Sequence, residues 1–300
     1  MSERPRGLPE PPPPGSAALP RGTFADQVVL VTGGGTGLGR AIAVEFARLG
    51  AAVGIVSRRA EHREAGVAAV REVGGRAAEA PCDIREPEAV AAAFDRIESE
   101  LGPVSVLVNN AAGNFPVPAE DLSPRGWRAV VEIVLHGTFF CSRELGRRLI
   151  GGHRPGSIVN IGASYAWTGG PGFVHSAAAK AGVLSLTKTL AVEWAPYGIR
   201  VNALVPGLFP HEDETSDIRS VPGRGAPDEE ASAPALRTGR LRELGWAATW
   251  LASPFAAYVT GHTLVVDGAN WQRRALRQPA FVPVREQLGR GPFGAEGASR

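Results

Sequence analysis

The stretch Val28-Val-Leu-Val-Thr-Gly-Gly-Gly-Thr-Gly-Leu-Gly39 decides the fold. Its first five residues are apolar or β-branched and predict a buried strand, and the residues from Leu38 to Leu49 follow a helical pattern. The glycines between them predict a tight strand-to-helix turn, because glycine accepts positive φ and lets a ligand approach the backbone closely. Amides at the N-terminus of a helix carry partial positive charge, so the turn predicts a pyrophosphate-binding site.

The same alternation of short apolar runs and amphipathic stretches continues along the chain. Predicted strands cover residues 28–32, 52–57, 77–81, 104–109, 157–161, 199–204 and 263–267. Predicted helices cover residues 38–49, 61–73, 88–100, 176–194 and 242–251, with a further helix opened by Ser123 and Pro124. Short apolar strands alternating with helices predict an α/β fold: one Rossmann-type domain, residues 23–270, with a doubly wound parallel sheet and helices on both faces. Ligands of such sheets bind beyond the carboxyl ends of the strands.

Three segments depart from this pattern. Residues 1–22 contain seven prolines and predict a disordered leader. Residues 208–240 are charged and contain proline, and a loop of this length is expected to be either a substrate lid or an idle insertion. Residues 271–300 mix arginines with aromatic residues, and we expect this tail to pack on the domain or on a neighbouring subunit.

Composition excludes several classes of protein. Hydrophobic residues make up 44% and charged residues 21% of the 300, which is typical of a chain with a large core. A net charge of +2 is too small to indicate nucleic-acid binding. The two cysteines, Cys82 and Cys141, have no metal-ligand spacing, so we expect neither a disulfide nor a metal. With no apolar run of membrane length and no signal peptide, the sequence predicts a cytoplasmic protein without a membrane partner.

The end of the second predicted strand indicates which dinucleotide binds. A carboxylate there would hydrogen-bond the ribose hydroxyls of NAD, whereas this chain has Ser57-Arg58-Arg59. Arg58 can pair with the 2′-phosphate of NADP, with Arg40 as a possible helper, although a solvated surface arginine is the alternative. We predict that NADP(H) is bound by Thr32, Gly33, Gly35, Thr36, Gly37, Leu38, Arg58, Asp83, Ile84, Asn110, Ala111, Lys180, Pro206 and Gly207.

These motifs, together with Asp267-Gly268, resemble the short-chain dehydrogenase/reductase superfamily over residues 24–270. That superfamily usually carries a Tyr-x-x-x-Lys pair, with a serine thirteen residues before the tyrosine. Here Lys180 is present, but Ser176 stands at the tyrosine position and Ala163 at the serine position. His136 stands where the superfamily has an asparagine. Three of the four groups usual in alcohol dehydrogenase chemistry are therefore exchanged in this chain.

A narrower resemblance explains the exchanged residues. The segments Asn109-Asn-Ala-Ala-Gly-Asn-Phe115 and Tyr165-Ala-x-Thr-Gly-x-x-Gly-Phe173, followed by Ser176 and Lys180, are similar to the NADPH-dependent 2,4-dienoyl-CoA reductases. In that family the active tyrosine lies fifteen residues before the lysine, which implies Tyr165, Asn114, Ser176 and Lys180 as catalytic residues. The segments Val174-His175-Ser176 and Gly126-Trp127 resemble the peroxisomal trans-2-enoyl-CoA reductases. The resemblance implies an acyl thioester substrate, with acyl-CoA the expected form, and a homotetramer.

The chemistry fits these residue types. Hydride reduction of a conjugated thioester places negative charge on the thioester oxygen, which requires hydrogen-bond donors such as the Tyr165 hydroxyl and the Asn114 amide. We expect Lys180 to hold the nicotinamide ribose and to lower the pKa of Tyr165, and Ser176 to orient one of these groups. Three alternatives stay open: an enoyl-CoA reductase, a ketone or quinone reductase in which Tyr165 or His136 is the acid, and a non-catalytic NADP-binding protein.

Overall fold

The computed structural model describes residues 7–213, 230, 233–272 and 282–290. Within these ranges seven strands form one sheet, with every neighbouring pair parallel and the order β3-β2-β1-β4-β5-β6-β7. The strands are β1 Val28–Thr32, β2 Ala52–Ser57, β3 Ala77–Pro81, β4 Val104–Asn109, β5 Gly156–Ile161, β6 Ile199–Pro206 and β7 Thr263–Val266. The predicted doubly wound parallel sheet is confirmed, and the order reverses between β1 and β4, where such sheets bind their ligands.

Helices connect the strands across both faces of the sheet. In the described part of the chain they are α1 Gly37–Arg48, α2 Ala60–Glu72, α3 Pro87–Leu101, α4 Pro124–Val131, α5 Gly137–Gly151, α6 Tyr165–Thr168, α7 Val174–Trp194, α8 Leu241–Ala252 and α9 Val284–Gln287. The predicted helices begin and end within two residues of these bounds. As predicted, α4 opens at Ser123, whose Oγ accepts a hydrogen bond from Gly126 N at 3.0 Å.

The core lies in two layers because the central strands bury both of their faces. On one face Ile42 and Phe46 of α1 meet Leu244 of α8. On the other face Phe94 of α3 packs with Leu145 of α5. Each fully buried side chain of this size stabilises the fold by about 1.5–3 kcal/mol. This double burial fixes the sheet as a rigid base for the loops at its carboxyl edge.

Two local elements have no signal in the sequence pattern. A π-helical turn, Glu132–His136, joins α4 to α5, and a single helical turn, α6, follows β5. π turns often occur near functional sites. Here the turn leaves His136 exposed, with its ring 6.3 Å from that of Phe140. His136 is therefore a surface residue in this structure.

The leader, the loop and the tail lie partly outside the described residues. Leu8 N donates to Ala235 O at 2.9 Å, and Glu10 pairs with Arg240 at 2.6 Å, so the leader contacts the end of the 208–240 segment. In the tail, Arg285 pairs with Asp121 at 2.8 Å. The disorder of the leader and the role of 208–240 as a lid stay predictions.

Helix α7 packs on the sheet with one side, where Val183 and Leu190 are buried. Its other side is exposed in the single chain at Ala178, Ala181 and Val192. The homotetramer that the resemblance implies stays a prediction. Within the described ranges, no helix is both long enough and apolar enough to cross a membrane.

Candidate active site

A cavity of about 660 Å³ opens at the carboxyl ends of β1, β2 and β4. Eight of the predicted cofactor residues line it: Gly33, Thr36, Gly37, Leu38, Arg58, Ile84, Asn110 and Ala111. The volume and the mixture of backbone, apolar and arginine surface suit a nucleotide. The glycine-rich turn and the residues after three different strands therefore meet at one place, as the fold predicts.

The glycine turn has the shape that its sequence requires. Gly37 has a φ of 46°, which L side chains rarely adopt. A Cβ on Gly35 would come within 1.8 Å of the carbonyl oxygen of His62, so only glycine lets the first turn of α2 pack against this loop. Gly35 thus shapes the site without lining the cavity.

The side-chain carboxylate of Asp213 lies at this turn, which shows that the turn accepts an anionic group. Gly37 N donates to Asp213 Oδ2 at 2.8 Å, and Arg40 Nη2 donates to the same oxygen at 3.0 Å. The carboxylate stands where a phosphate oxygen of a dinucleotide would bind, at the N-terminus of α1. The residues present therefore fit a pyrophosphate group, which would replace Asp213. Arg40 also pairs with Glu212 at 3.0 Å, so its charge is directed to this end of the site.

Hydrogen bonds of Thr32 and Asn110 connect the end of β1 to the residues that follow β4. Thr32 is fully buried, and its Oγ1 accepts hydrogen bonds from the backbone N of Asn110 and of Ala111, both at 3.0 Å. Asn110 Nδ2 donates to the carbonyls of Thr32 and Gly33 at 3.1 and 3.2 Å. Thr32 does not line the cavity, and its role in this structure is to hold the residues that do.

Arg58 extends into the cavity from the end of β2. Its side chain is 55% exposed, and Nη1 lies 3.9 Å from Asp83 Oδ2. Asp83 itself is held by Arg85, whose Nε and Nη2 donate to its carboxylate at 2.9 and 2.6 Å. These hydrogen bonds hold the pKa of Asp83 below its usual value. Arg58 is thus free of a tight ion pair and available to an anionic group.

Two of the predicted catalytic residues, Tyr165 on α6 and Ser176 on α7, are in contact. Tyr165 Oη lies 3.0 Å from Ser176 Oγ, and the Tyr165 ring stacks on Phe173 with centroids 6.4 Å apart. Lys180 is 7% exposed, and its Nζ donates to the carbonyl oxygen of Ile161 at the end of β5. Burial lowers the pKa of Lys180 to about 8. A tyrosine hydroxyl, a serine and a lysine therefore occupy one edge of the sheet.

One expectation about this group is wrong. We expected Lys180 to lower the pKa of Tyr165, but burial raises the pKa of Tyr165, and only its hydrogen bond with Ser176 acts in the opposite direction. Desolvation of the phenol decides the direction of the shift, and the Lys180 ammonium is itself buried and bonded to Ile161. The Tyr165 hydroxyl therefore keeps its proton at neutral pH.

Asn114 lies in the half-buried segment after β4. Its Oδ1 accepts a hydrogen bond from Phe115 N at 3.0 Å, which leaves the amide nitrogen as the group to donate. Phe115 contacts the His175 ring edge to face at 4.6 Å. His175 is fully buried, and its Nδ1 accepts from Ser176 N at 2.9 Å. These contacts join the Asn114 segment to the start of α7.

Pro206 and Gly207 lie at the end of β6 and do not line the cavity. Gly207 N donates to Val266 O at 2.9 Å, and a Cβ on Gly207 would come within 2.4 Å of Asp267 Cβ. Sequence reasoning missed several residues that line the cavity, among them His62, Cys82, Ile133, His211 and Asp213. Arg59, which the sequence places beside Arg58, also lines the cavity. Asp213 and Gly37 are 176 positions apart in the sequence, so no local sequence pattern predicts their contact.

The sequence of this chain is similar to those of several known proteins. A family model described as enoyl-(acyl carrier protein) reductase matches residues 33–269. A probable 2,4-dienoyl-CoA reductase [(2E)-enoyl-CoA-producing] of Bacillus subtilis is 42% identical over 256 residues, covering 82% of this chain and 96% of the relative. The peroxisomal 2,4-dienoyl-CoA reductase [(3E)-enoyl-CoA-producing] of Rattus norvegicus is 41% identical over 249 residues, covering 82% and 84%.

Solved structures of short-chain dehydrogenases are also similar to this chain. A short chain dehydrogenase from Bacillus anthracis is 41% identical with a TM-score of 0.73, covering 82% of this chain and 96% of that one. A structure from Agrobacterium tumefaciens, named as a 2-deoxy-D-gluconate 3-dehydrogenase and holding NADP, is 34% identical with a TM-score of 0.74, covering 83% and 98%. With its parallel sheet, its glycine turn and these relatives, this chain belongs to the short-chain dehydrogenase/reductase family of nicotinamide-dependent oxidoreductases.

Proposed function

We propose that this chain reduces a conjugated carbon–carbon double bond in an unsaturated acyl thioester, with a 2,4-dienoyl-CoA as substrate and NADPH as reductant. The observation that carries the proposal is the 3.0 Å contact between Tyr165 Oη and Ser176 Oγ. Ser176 stands four residues before Lys180, and Tyr165 supplies from α6 the hydroxyl that a tyrosine at that position would supply. Relatives about 40% identical to this chain are named 2,4-dienoyl-CoA reductases, which supports the same substrate class.

NADPH is favoured over NADH by the charge at the end of β2. Arg58 lines the cavity and is 55% exposed, so its guanidinium can form a charge-assisted pair with a 2′-phosphate, worth about 1.5–3 kcal/mol. Gly37 N and Arg40 would hold the pyrophosphate in place of Asp213. The bound NADP in the Agrobacterium tumefaciens structure supports this choice.

When bound, NADPH supplies the hydride. The residues of this chain act on the thioester oxygen, where negative charge develops as the substrate becomes a dienolate. The Tyr165 hydroxyl donates to that oxygen, and burial keeps the pKa of Tyr165 raised, so the donor stays protonated. Ser176 Oγ then donates to Tyr165 Oη, and the Asn114 amide is the second donor to the substrate. Lys180, fixed by Ile161 O, would bind the nicotinamide ribose.

Hydride delivery at C5 gives a dienolate that takes a proton at either C2 or C4. Protonation at C2 leaves a 3-enoyl thioester, and protonation at C4 leaves a 2-enoyl thioester. The names of the relatives include both outcomes, since the Bacillus subtilis protein is named (2E)-enoyl-CoA-producing and the rat protein (3E)-enoyl-CoA-producing. For this chain we propose hydride transfer to C5 and protonation at C2.

The test is NADPH oxidation with matched panels of dienoyl-CoA, 2-enoyl-CoA and ketone or quinone substrates. We expect turnover of the dienoyl-CoA, with deuterium from 4-deuterated NADPH at C5 of a 3-enoyl product, read by NMR and mass spectrometry. Deuterium at C3 would identify an enoyl reductase. Reduction of a ketone or quinone without dienoyl turnover would overturn the proposal, and NADPH binding without any turnover would indicate a non-catalytic protein.

Two further points concern the oligomeric state of the protein and its location in the cell. We propose a homotetramer that uses the exposed side of α7. Location in the cytoplasm stays a prediction, since some of the relatives are peroxisomal by name.

A further inference from the structure

The connection from β2 to α2 carries the arginine on which the proposed cofactor preference depends. β2 ends at Ser57, and α2 begins at Ala60 with Arg59 as its N-cap, whose side chain makes no capping hydrogen bond. The carbonyl groups of such a short connection need donors, because they lie beyond the ladder of the sheet. Cys82 N supplies one to Ser57 O at 3.2 Å. This leaves the Arg58 backbone in need of another.

Arg63, one turn into α2, reaches back to this connection. Its Nη1 donates to Ser57 O at 3.0 Å and to Arg58 O at 2.9 Å. Its Nε donates to the Glu79 carboxylate on β3, which fixes the guanidinium plane from the other side. A planar guanidinium can make these contacts together, because its donors are held in a rigid fork. Arg63 therefore ties the end of β2, the start of α2 and β3 into one unit.

Arg63 is placed to act on the backbone of Arg58 and not on a ligand. Its side chain is 11% exposed, and it is not among the residues that line the cavity, whereas Arg58 and Arg59 are. Its charge is already paired with Glu79. Ser57 O would keep its hydrogen bond from Cys82 N if Arg63 were lost, but the Arg58 carbonyl would lose the donor that Arg63 supplies. The Cα of Arg58 could then move, so the Arg58 guanidinium would no longer be directed at one point in the cavity.

We propose that Arg63 is a positioning residue that sets the preference for a 2′-phosphorylated nucleotide by holding the backbone of Arg58. This inference rests on the proposed role of Arg58 in binding the 2′-phosphate. It assigns no contact between Arg63 and the nucleotide. It predicts that the contribution of Arg63 to affinity depends on both the 2′-phosphate and Arg58.

The test uses calorimetric titration of the full chain with adenosine 2′,5′-bisphosphate and with AMP, which differ by the 2′-phosphate. We expect Arg63→Gln to raise the Kd for the bisphosphate roughly 3- to 30-fold, since residues that share a backbone segment couple at this level, and to leave the Kd for AMP unchanged. Arg96→Gln is the matched control, because Arg96 also pairs with Glu79, at 3.2 Å, but contacts neither carbonyl. It should change neither Kd.

Should Arg63→Gln fail to fold, Arg63→Lys keeps the charge and loses the fork, and we expect a smaller rise for the bisphosphate alone. A lower Tm with equal changes for both nucleotides, or with no change in either, would overturn the inference and leave Arg63 with a structural role only.

Arg58→Ala separates this inference from the proposed function. In that background Arg63→Gln should cause no further loss of bisphosphate affinity, whereas an additional loss of the full size would show that Arg63 does not act through Arg58. If Arg58→Ala weakens bisphosphate binding and Arg63→Gln does not, this inference alone is wrong. If Arg58→Ala has no effect on bisphosphate binding, the proposed 2′-phosphate role of Arg58 is wrong, and the inference is wrong with it.

Discussion

Replacement of Tyr165 by phenylalanine isolates the hydroxyl that the proposed mechanism requires. The ring stays in place against Phe173, with which it stacks at an interplanar angle of 10°, so packing is retained. Removing one preorganised donor to an oxyanion lowers kcat by about 10²- to 10³-fold, or about 2.7–4 kcal/mol of transition-state stabilisation. The substitution also leaves Ser176, which is 1% exposed, without its hydroxyl partner, at a cost of about 1–3 kcal/mol in folding stability.

The assay is the initial rate of NADPH oxidation with a 2,4-dienoyl-CoA, together with the Tm of each variant. Tyr197→Phe is the matched control, since Tyr197 is 54% exposed and lies away from α6, and it should change neither quantity. Ser176→Ala should lower kcat less than Tyr165→Phe, because serine here only orients the phenol. A larger loss for Ser176→Ala, or wild-type kcat in Tyr165→Phe, would show that the chemistry does not depend on Tyr165.

Further expected outcomes concern the cofactor, the pH dependence and the assembly. Arg58→Asp should reduce the ratio of kcat/KM for NADPH over NADH by about 10- to 100-fold, because repulsion replaces an ion pair; an unchanged ratio would place the 2′-phosphate elsewhere. Asp213→Asn should lower the Kd for NADPH about 2- to 10-fold, since it removes a charge that competes for the N-terminus of α1; weaker binding would instead make Asp213 part of the cofactor site. Burial lowers the pKa of Lys180 to about 8, so the affinity for NADPH should fall as pH rises through that value, and Lys180→Met should abolish this dependence. Between about pH 8 and 10.5 the unfolded chain holds a proton on Lys180 that the folded chain lacks, so this residue makes the free energy of unfolding increase with pH over that range. Light scattering at micromolar concentration should give the mass of a tetramer, and a monomer mass would contradict the proposed role of α7.

The fold could be predicted because its signals are local and repeat. Each strand is a short apolar run, and each helix has a period that differs from that of the strands, so the elements could be placed before their contacts were known. Ser123 is a further example, since its capping bond with Gly126 depends only on neighbouring positions. The π turn at Glu132–His136 was not predicted, because it lies between α4 and α5 and continues their helical pattern.

Sequence reasoning could predict only those site residues whose place follows from their position in the fold. β2 is the neighbour of β1 in the sheet, so the residues that follow the two strands lie side by side. Arg58 follows β2 and therefore lines the cavity. The contact between Asp213 and Gly37 depends on tertiary packing over 176 positions, and no local pattern gives it. The sequence analysis expected the pKa of Tyr165 to be lowered, whereas the structure raises it. The sequence could not give this direction, because desolvation of the phenol depends on how tightly its neighbours enclose it.

The proposed active tyrosine, Tyr165, could be named only through the resemblance that puts it fifteen residues before Lys180, since the usual Tyr-x-x-x-Lys spacing leads to Ser176. Oxyanion stabilisation depends on where the hydroxyl is, and the turn after β5 meets the first turn of α7, so two distant positions in the sequence supply the same point. Ser176 is 1% exposed and its Oγ lies 3.0 Å from Tyr165 Oη, so a small buried side chain stands beside the phenol hydroxyl. In the proposed mechanism the small serine at position 176 leaves room for the Tyr165 hydroxyl and orients it.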